Sequence, residues 1–218
     1  MSAEELGPLP AGRHGYSREQ VAHHQRERLI AALAAAVAEH GYPAVTIAHV
    51  TRRARVSRRV FYAHFEGREE CFLAAFEVVV DHLRELLAEA AAPFPDWPHR
   101  AIAAARAALA FFAAEPDLAR LCLVESRAAG PAVAARFNEA AAELVPALAR
   151  GRAERAAARS LPDSTEDSVV GALLSLAFGK VAAGEAARLG KLLPDCAELI
   201  LSPYLGPERA ARLARPSA

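Results

Sequence analysis

Between Thr46 and Phe65 the chain reads TIAHVTRRARVSRRVFYAHF, and no other segment restricts the fold as much. Thr46 is placed to cap a short helix whose Ile47, Val50 and Ala54 point inward. Arg55-Val56-Ser57 then makes a turn. Ser57 caps a second short helix, Arg58 to Phe65, with Phe61 and Phe65 four apart on one face. Two short helices joined by so brief a turn have the spacing of a helix-turn-helix.

The rest of the chain also predicts helix. Over half of the residues are apolar, much of that fraction is alanine, and aromatics make up only 6%. Alanine is the best helix former and a poor strand former. Ser17 and Gln20 are spaced as a capping box opening a helix that runs to about His40 and stops at Gly41. A long helix follows from Arg68 to Ala91, with Phe72, Phe76, Val79, Val80, Leu83, Leu86 and Leu87 as its apolar stripe. Pro93, Pro95 and Pro98 mark a linker around Trp97. Beyond it the pattern predicts helices over about Pro98–Ala114, from Pro116 to before Gly130, from Pro131 towards Ala158 with a kink at Pro146, from Asp163 or Ser164 to about Leu189, and from Pro194 to Tyr204. The expectation is an all-α protein. Residues 1–16 form a flexible arm, 17–66 a three-helix helix-turn-helix domain, 67–92 a connecting helix and 93–218 a helical domain for ligand binding and dimerisation.

The formal net charge is zero, so bulk charge draws no polyanion. Its distribution is uneven. From Arg13 to Phe65 there are nine arginines (13, 18, 26, 28, 52, 53, 55, 58, 59) against three acids (19, 27, 39), and five of those arginines fall between Thr46 and Phe65, where there is no acid. A basic reader on a near-neutral body suggests a local anionic partner. The second helix of such a unit can lie in the major groove of DNA while the first crosses the backbone.

Thr46, the Val56-Ser57 turn, the run Phe61-Tyr62-x-His64-Phe65 and the Arg68-Glu69-Glu70 helix start resemble the TetR family of bacterial repressors, over roughly residues 25–76. The resemblance implies that Phe61 and Phe65 anchor the recognition helix. It implies that Thr46 caps the second helix near a phosphate, that Tyr62, His64 and Arg68 meet the DNA backbone, and that Arg58 and Arg59 open the helix that reads base edges. An arginine can contact guanine in bidentate fashion, and phosphate contacts position the reader. Ser57 and Arg55 lie in the turn beside them. The sequence departs from the family at Arg55, where glycine is usual because the turn tends to need a positive φ, and at Val60, which is often polar and here is suited to a thymine methyl.

In the body the resemblance is one of layout. It implies a homodimer through the last two long helices, with Val169, Leu173, Leu176, Ala183, Gly184, Leu199 and Tyr204 as interface candidates. It also implies a small-molecule effector, with Trp97, Phe111, Phe112, Leu118, Leu121, Phe137, Leu174 and Phe178 as walls and Glu125 and Asn138 as orienting groups. The partners expected are palindromic double-stranded operator DNA, a second copy of the chain and that effector.

Other classes lack their signatures. Ser/His/Asp clusters, G-x-S-x-G, HExxH, P-loop and dinucleotide glycine patterns are missing, so no enzyme and no cofactor is expected. Cys71, Cys122 and Cys196 are far apart and suggest neither a disulfide framework nor a metal site, in keeping with a bacterial cytoplasm. His23 and Glu27 share a helix face, which is read as a solvated surface rather than a metal pair. The first fifteen residues have no signal-peptide core, and the longest uncharged apolar stretch, Ser168–Gly179, is too short to span a bilayer. The competing reading is a helical dimeric interaction module that does not read DNA.

Overall fold

Local signals set the first four helices. In the computed structural model, which describes residues 17–215, Ser17 opens α1 (Arg18–His40) with a complete capping box to Gln20, and Gly41 ends it at φ 72°. Thr46 caps α2 (Ile47–Ala54) and Ser57 caps α3 (Arg58–His64). Helix α4 runs over Arg68–Ala91. The arm expected over residues 1–16 lies outside the described residues.

The later helices are α5 (Trp97–Ala114), α6 (Pro116–Leu123), α7 (Pro131–Ala142), α8 (Val145–Ala149), α9 (Thr165–Ala182), α10 (Leu193–Leu205) and α11 (Pro207–Ala214). Four differ from the sequence reading. The helix expected from Pro116 to before Gly130 ends at Leu123, followed by a tight turn over Glu125–Arg127. The helix expected from Pro131 to Ala158 breaks after Ala142, because Pro146 sits in the first turn of α8, where a missing N–H costs nothing, rather than inside a continuous helix. Helix α9 stops at Ala182 because Gly184 adopts φ 74°, and a tight turn over Ala186–Leu192 replaces its expected last turns. Residues 207–214, which lie beyond the last helix expected, form α11, whose Ala210 is fully buried.

The chain divides into two compact units. The first holds the described residues up to Val79 together with Arg120–Ala134; the second holds Val80–Ala119 and Ala135 onward. The division therefore falls inside α4 rather than at the proline cluster, and a segment some forty residues further along the chain joins the first unit. Leu29, Leu33 and Val37 of α1, Val45, Val50, Phe61, Phe72 and Leu121 are the fully buried heart of that unit. Burying each such side chain stabilises by about 1.5–3 kcal/mol.

In the second unit Leu148, Val169, Val170, Ile200, Leu201, Leu205 and Ala210 form the core, with Trp97 and Ile102 of α5 and Leu173 and Leu174 of α9 packed against it. Beside it lies a buried polar knot. Glu166 accepts from Arg152 Nε at 2.8 Å and Nη2 at 2.7 Å, and from the Tyr204 hydroxyl at 3.0 Å. The same guanidinium donates to the carbonyls of Leu161 and Pro162. Tyr204 meets the Trp97 ring edge-on at 4.9 Å, and Trp97 Nε1 donates to the Ala147 carbonyl. A Cβ on Gly151 would stand 2.6 Å from the Trp97 ring and 2.8 Å from that of Tyr204, so only glycine fits there.

The hydrogen bonds from Arg152, outweighing burial, hold the Glu166 carboxyl below the usual glutamate range. With the folded pKa depressed, the carboxylate contributes stability above the ordinary glutamate pKa and loses it as pH falls through the folded value. Glu166→Gln should flatten the acid side of the stability profile of this unit. Tyr204→Phe should lower its stability by about 1–2 kcal/mol in urea unfolding at neutral pH, since it removes one hydrogen bond to a charged acceptor while keeping the ring.

Candidate nucleic-acid interface

The α2–turn–α3 unit is held by its own backbone chemistry. Thr46 Oγ1 accepts from the His49 N–H and Ser57 Oγ from the Val60 N–H. Between them Arg55 sits at φ 51°, ψ 46°, the left-handed region that favours glycine. The departure noted in the sequence is thus absorbed by Arg55 itself, which takes the positive φ. Its N–H and that of Val56 bond back to the Arg52 and Thr51 carbonyls. The buried Arg28 of α1 donates to the Ala54 carbonyl and so caps the end of α2. Burial first, and the neighbouring Arg55 charge second, lower the Arg28 pKa.

Helix α3 is anchored on one side and open on the other. Phe61 and Phe65 are buried, with ring centroids 5.7 Å apart. Arg58, Arg59, Tyr62 and Ala63 are exposed, Tyr62 at 58%. Arg52 and Arg55 add exposed charge; Arg53 is also exposed but ion-paired to Glu39 at 2.8 Å. A surface patch of free arginines around an exposed tyrosine suits a polyanion whose grooves present hydrogen-bond acceptors. Ala63 was missed in the sequence; its place four residues after Arg59 was the available signal.

Three residues expected at this surface are arranged otherwise. Arg68 is half-buried and turned inward: its Nη1 donates to the carbonyls of Tyr42 and Val45, and its guanidinium lies 4.9 Å over the Tyr42 ring. It braces the α1–α2 connection instead of facing solvent. His64 is half-buried, and its Nε2 is buried with no hydrogen-bond partner among the described residues. Burial, then Arg26, depress its pKa. Val60 is half-buried at the edge of the open face.

The effector candidates fall in both units. Leu121 and Glu125 belong to the first unit and are buried there. Both carboxylate oxygens of Glu125 are engaged, Oε2 by the Tyr42 N–H at 2.9 Å and Oε1 by Arg120 at 2.8 Å, so Glu125 is a structural clamp and not an orienting group awaiting a ligand. In the second unit Asn138, expected as an orienting group, is exposed, and Trp97 belongs to the core around Tyr204. Phe111 and Phe112 lie 5.2 Å apart, with His82 against Phe111 at 5.2 Å. Leu118, Phe137, Leu174 and Phe178 are half-buried.

Of the interface candidates, Val169 and Tyr204 are core residues of their own unit: Val169 clusters with Leu148 and Leu201, with Leu173 packed against that cluster, and Tyr204 packs against Trp97 and bonds Glu166. Leu176 is 40% exposed, Ala183 and Gly184 are exposed, and Leu199 is half-buried in an open groove of about 790 Å³ with Ser168, Glu198 and Arg215. His23 and Glu27 form an exposed contact at 3.2 Å. All three cysteines are free and buried, with the Cys71 thiol pushed up to about 12 by burial. No helix among the described residues is long and apolar enough to cross a membrane.

Residues 29–75 match the family model described as bacterial regulatory proteins, tetR family. No curated protein sequence matches the chain. Among solved structures, the fatty acid degradation regulator FadR from Bacillus halodurans superposes with a TM-score of 0.72 at 18% identity, over 81% of this chain and 94% of that one. FadR from Bacillus subtilis in complex with stearoyl-CoA gives 0.67 at 15% identity, over 82% and 97%. A TetR-family regulator from Bordetella parapertussis gives 0.59 at 19% identity, over 88% and 94%. At such identities the likeness is one of fold.

The left-handed Arg55 makes the turn a measurable reservoir of strain. Arg55→Gly should raise the stability of the first unit by about 1 kcal/mol in urea unfolding, because it relieves the left-handed backbone and removes a cation beside Arg28.

Proposed function

We propose that this chain, which carries the DNA-binding domain of the TetR family on the fold of its regulators, is a dimeric cytoplasmic repressor that reads a palindromic operator and is released by a small molecule. One observation carries the reading: Arg58, Arg59, Tyr62 and Ala63 are exposed together on a helix that Phe61 and Phe65 fix to the core. In the proposed complex α3 enters the major groove, Arg58 and Arg59 read base edges, and Tyr62, Arg55 and the cap hydroxyls of Thr46 and Ser57 meet phosphates.

Dimerisation is supported by α9. Its exposed line of Gly171, Ser175 and Gly179, with Leu176 beside it, lets a second helix approach closely. Two copies present two recognition helices, which suits half-sites about one helical turn apart. The effector is proposed to bind in the second unit, among the half-buried apolar side chains Phe111, Phe112, Phe137, Leu174 and Phe178. Stearoyl-CoA is held by the Bacillus subtilis neighbour, so a long-chain acyl-CoA is the first candidate to assay.

Fragments selected from source-genome DNA should yield a palindromic site, bound with steep salt dependence. Arg58→Ala/Arg59→Ala should weaken that site by at least ten-fold, as expected for losing contacts worth about 1–3 kcal/mol each. Unchanged binding by the double variant would overturn the assignment of α3 as the reader. Leu176→Arg should shift the protein to a monomer in sedimentation and weaken operator binding in parallel; a dimer unaffected by it would place the interface elsewhere.

A further inference from the structure

The strongest unexplained feature is the way residues 120–134, distant in sequence, join the DNA-reading unit. Glu125 is almost wholly buried, and its Oε2 accepts the N–H of Tyr42 at 2.9 Å across 83 positions of sequence. Tyr42 begins the short connection between α1 and α2, directly after Gly41 turns the chain at φ 72°. A Cβ on Gly41 would lie 3.6 Å from Glu125 Oε1, so the carboxylate is seated against the turn itself. Arg68 holds the opposite poles of the same connection, the carbonyls of Tyr42 and Val45.

A second carboxylate runs the other way. Glu69, adjacent to Arg68 on α4, accepts the N–H of Ala132 in the first turn of α7 at 3.0 Å. Gly130, at φ 126°, leaves room for it: a Cβ there would stand 2.3 Å from Glu69 Oε1. The reader and the 120–134 segment thus exchange two charge-assisted hydrogen bonds, one carboxylate contributed by each. Neither carboxylate belongs to the arginine surface. Glu125 acts on the backbone of the α1–α2 connection, and Glu69 ties the start of α4 to the first turn of α7.

We propose that Glu125 and Glu69 are positioning residues for operator recognition. The 120–134 segment is a working part of the reader, and the Glu125–Tyr42 bond sets the angle at which α2 and α3 are offered to DNA. A shift of that segment changes operator affinity with every DNA-facing side chain in place. This rests on the DNA-reading function proposed above.

The test uses the full chain and an operator fragment selected with wild type. Glu125→Ala should weaken operator binding ten-fold or more, leave binding to random-sequence DNA and its salt dependence unchanged, and speed hydrogen exchange at the Tyr42 amide. Glu125→Gln keeps an acceptor for that amide and should recover most of the affinity, although it loses the ion pair to Arg120. Gly130→Ala, which drives Glu69 off the Ala132 amide, should weaken the operator in the same selective way and stands in if Glu125→Ala fails to fold. A folded Glu125→Ala protein that binds the operator as wild type does would overturn the proposal. So would equal losses by the Ala and Gln variants that track thermal stability alone, since those describe a merely structural residue. Failure of wild type itself to select any DNA sinks the reading beneath it, and is told apart by being present before any substitution.

Discussion

The connection between α1 and α2 is a tight turn whose Tyr42 and Val45 are buried while Pro43 and Ala44 are exposed, so the N–H of Tyr42 and the carbonyls of Tyr42 and Val45 are largely withdrawn from water. Buried groups of this kind must find partners or forfeit about 1–3 kcal/mol each. Here they find two charged side chains, Glu125 on the N–H of Tyr42 and Arg68 on the carbonyls of Tyr42 and Val45. The remaining geometry of the reader follows from this closure. It fixes the direction in which α2 starts, the capped turn at Arg55–Ser57 fixes α3 relative to α2, and Phe61 and Phe65 press the inner side of α3 into the core. The exposed arginines inherit their orientation from these buried contacts and do nothing to create it.

The second unit solves a similar problem with similar means. Its helices are rich in alanine, which packs well but offers little shape by which one helix can register against another. The Glu166–Arg152–Tyr204 knot supplies directional contacts where side-chain shape is scarce, and Trp97 fills the space left by Gly151. A buried ion pair of this sort contributes little net stability beside an apolar replacement, but removing one partner leaves the other buried and uncompensated. In both units a single glutamate, with an arginine on one side, holds segments far apart in the chain.

Where the signal was local, the sequence could be read. The capping box at Ser17 and Gln20, the caps at Thr46 and Ser57, the stop at Gly41 and the phenylalanine pair in α3 all act within four residues, and all lie where spacing puts them. At Arg55 the resemblance marked a departure from the usual glycine, which left either a changed turn or a strained arginine, and the structure has the strained arginine. What could not be read depends on distance. Periodicity marked Val169 and Tyr204 as apolar, yet a helix with two apolar faces does not disclose which meets its own core. Glu125 stood in an apolar stretch and invited a ligand-binding role; the backbone amide it serves lies 83 positions away. Arg28 was counted among the basic residues, and Arg68 was assigned to the DNA backbone by resemblance, because neither charge nor motif distinguishes a solvated guanidinium from one spent on buried carbonyls.

That distinction sharpens the electrostatics of the proposed interface. With Arg28 and Arg68 turned inward and Arg53 paired to Glu39, the exposed arginines of α2, the turn and α3 are Arg52, Arg55, Arg58 and Arg59, with Arg18 and Arg26 exposed on α1. Arg55 is the instructive member. It occupies a conformation that a glycine would hold without strain, beside a buried cation whose proton affinity it lowers. Both terms oppose folding in the free protein. A phosphate brought against Arg55 would cancel the repulsion while leaving the backbone unchanged, so part of what the turn loses in the unbound state returns on binding. By linkage, the same residue that makes the isolated reader less stable makes its complex with a polyanion comparatively more so.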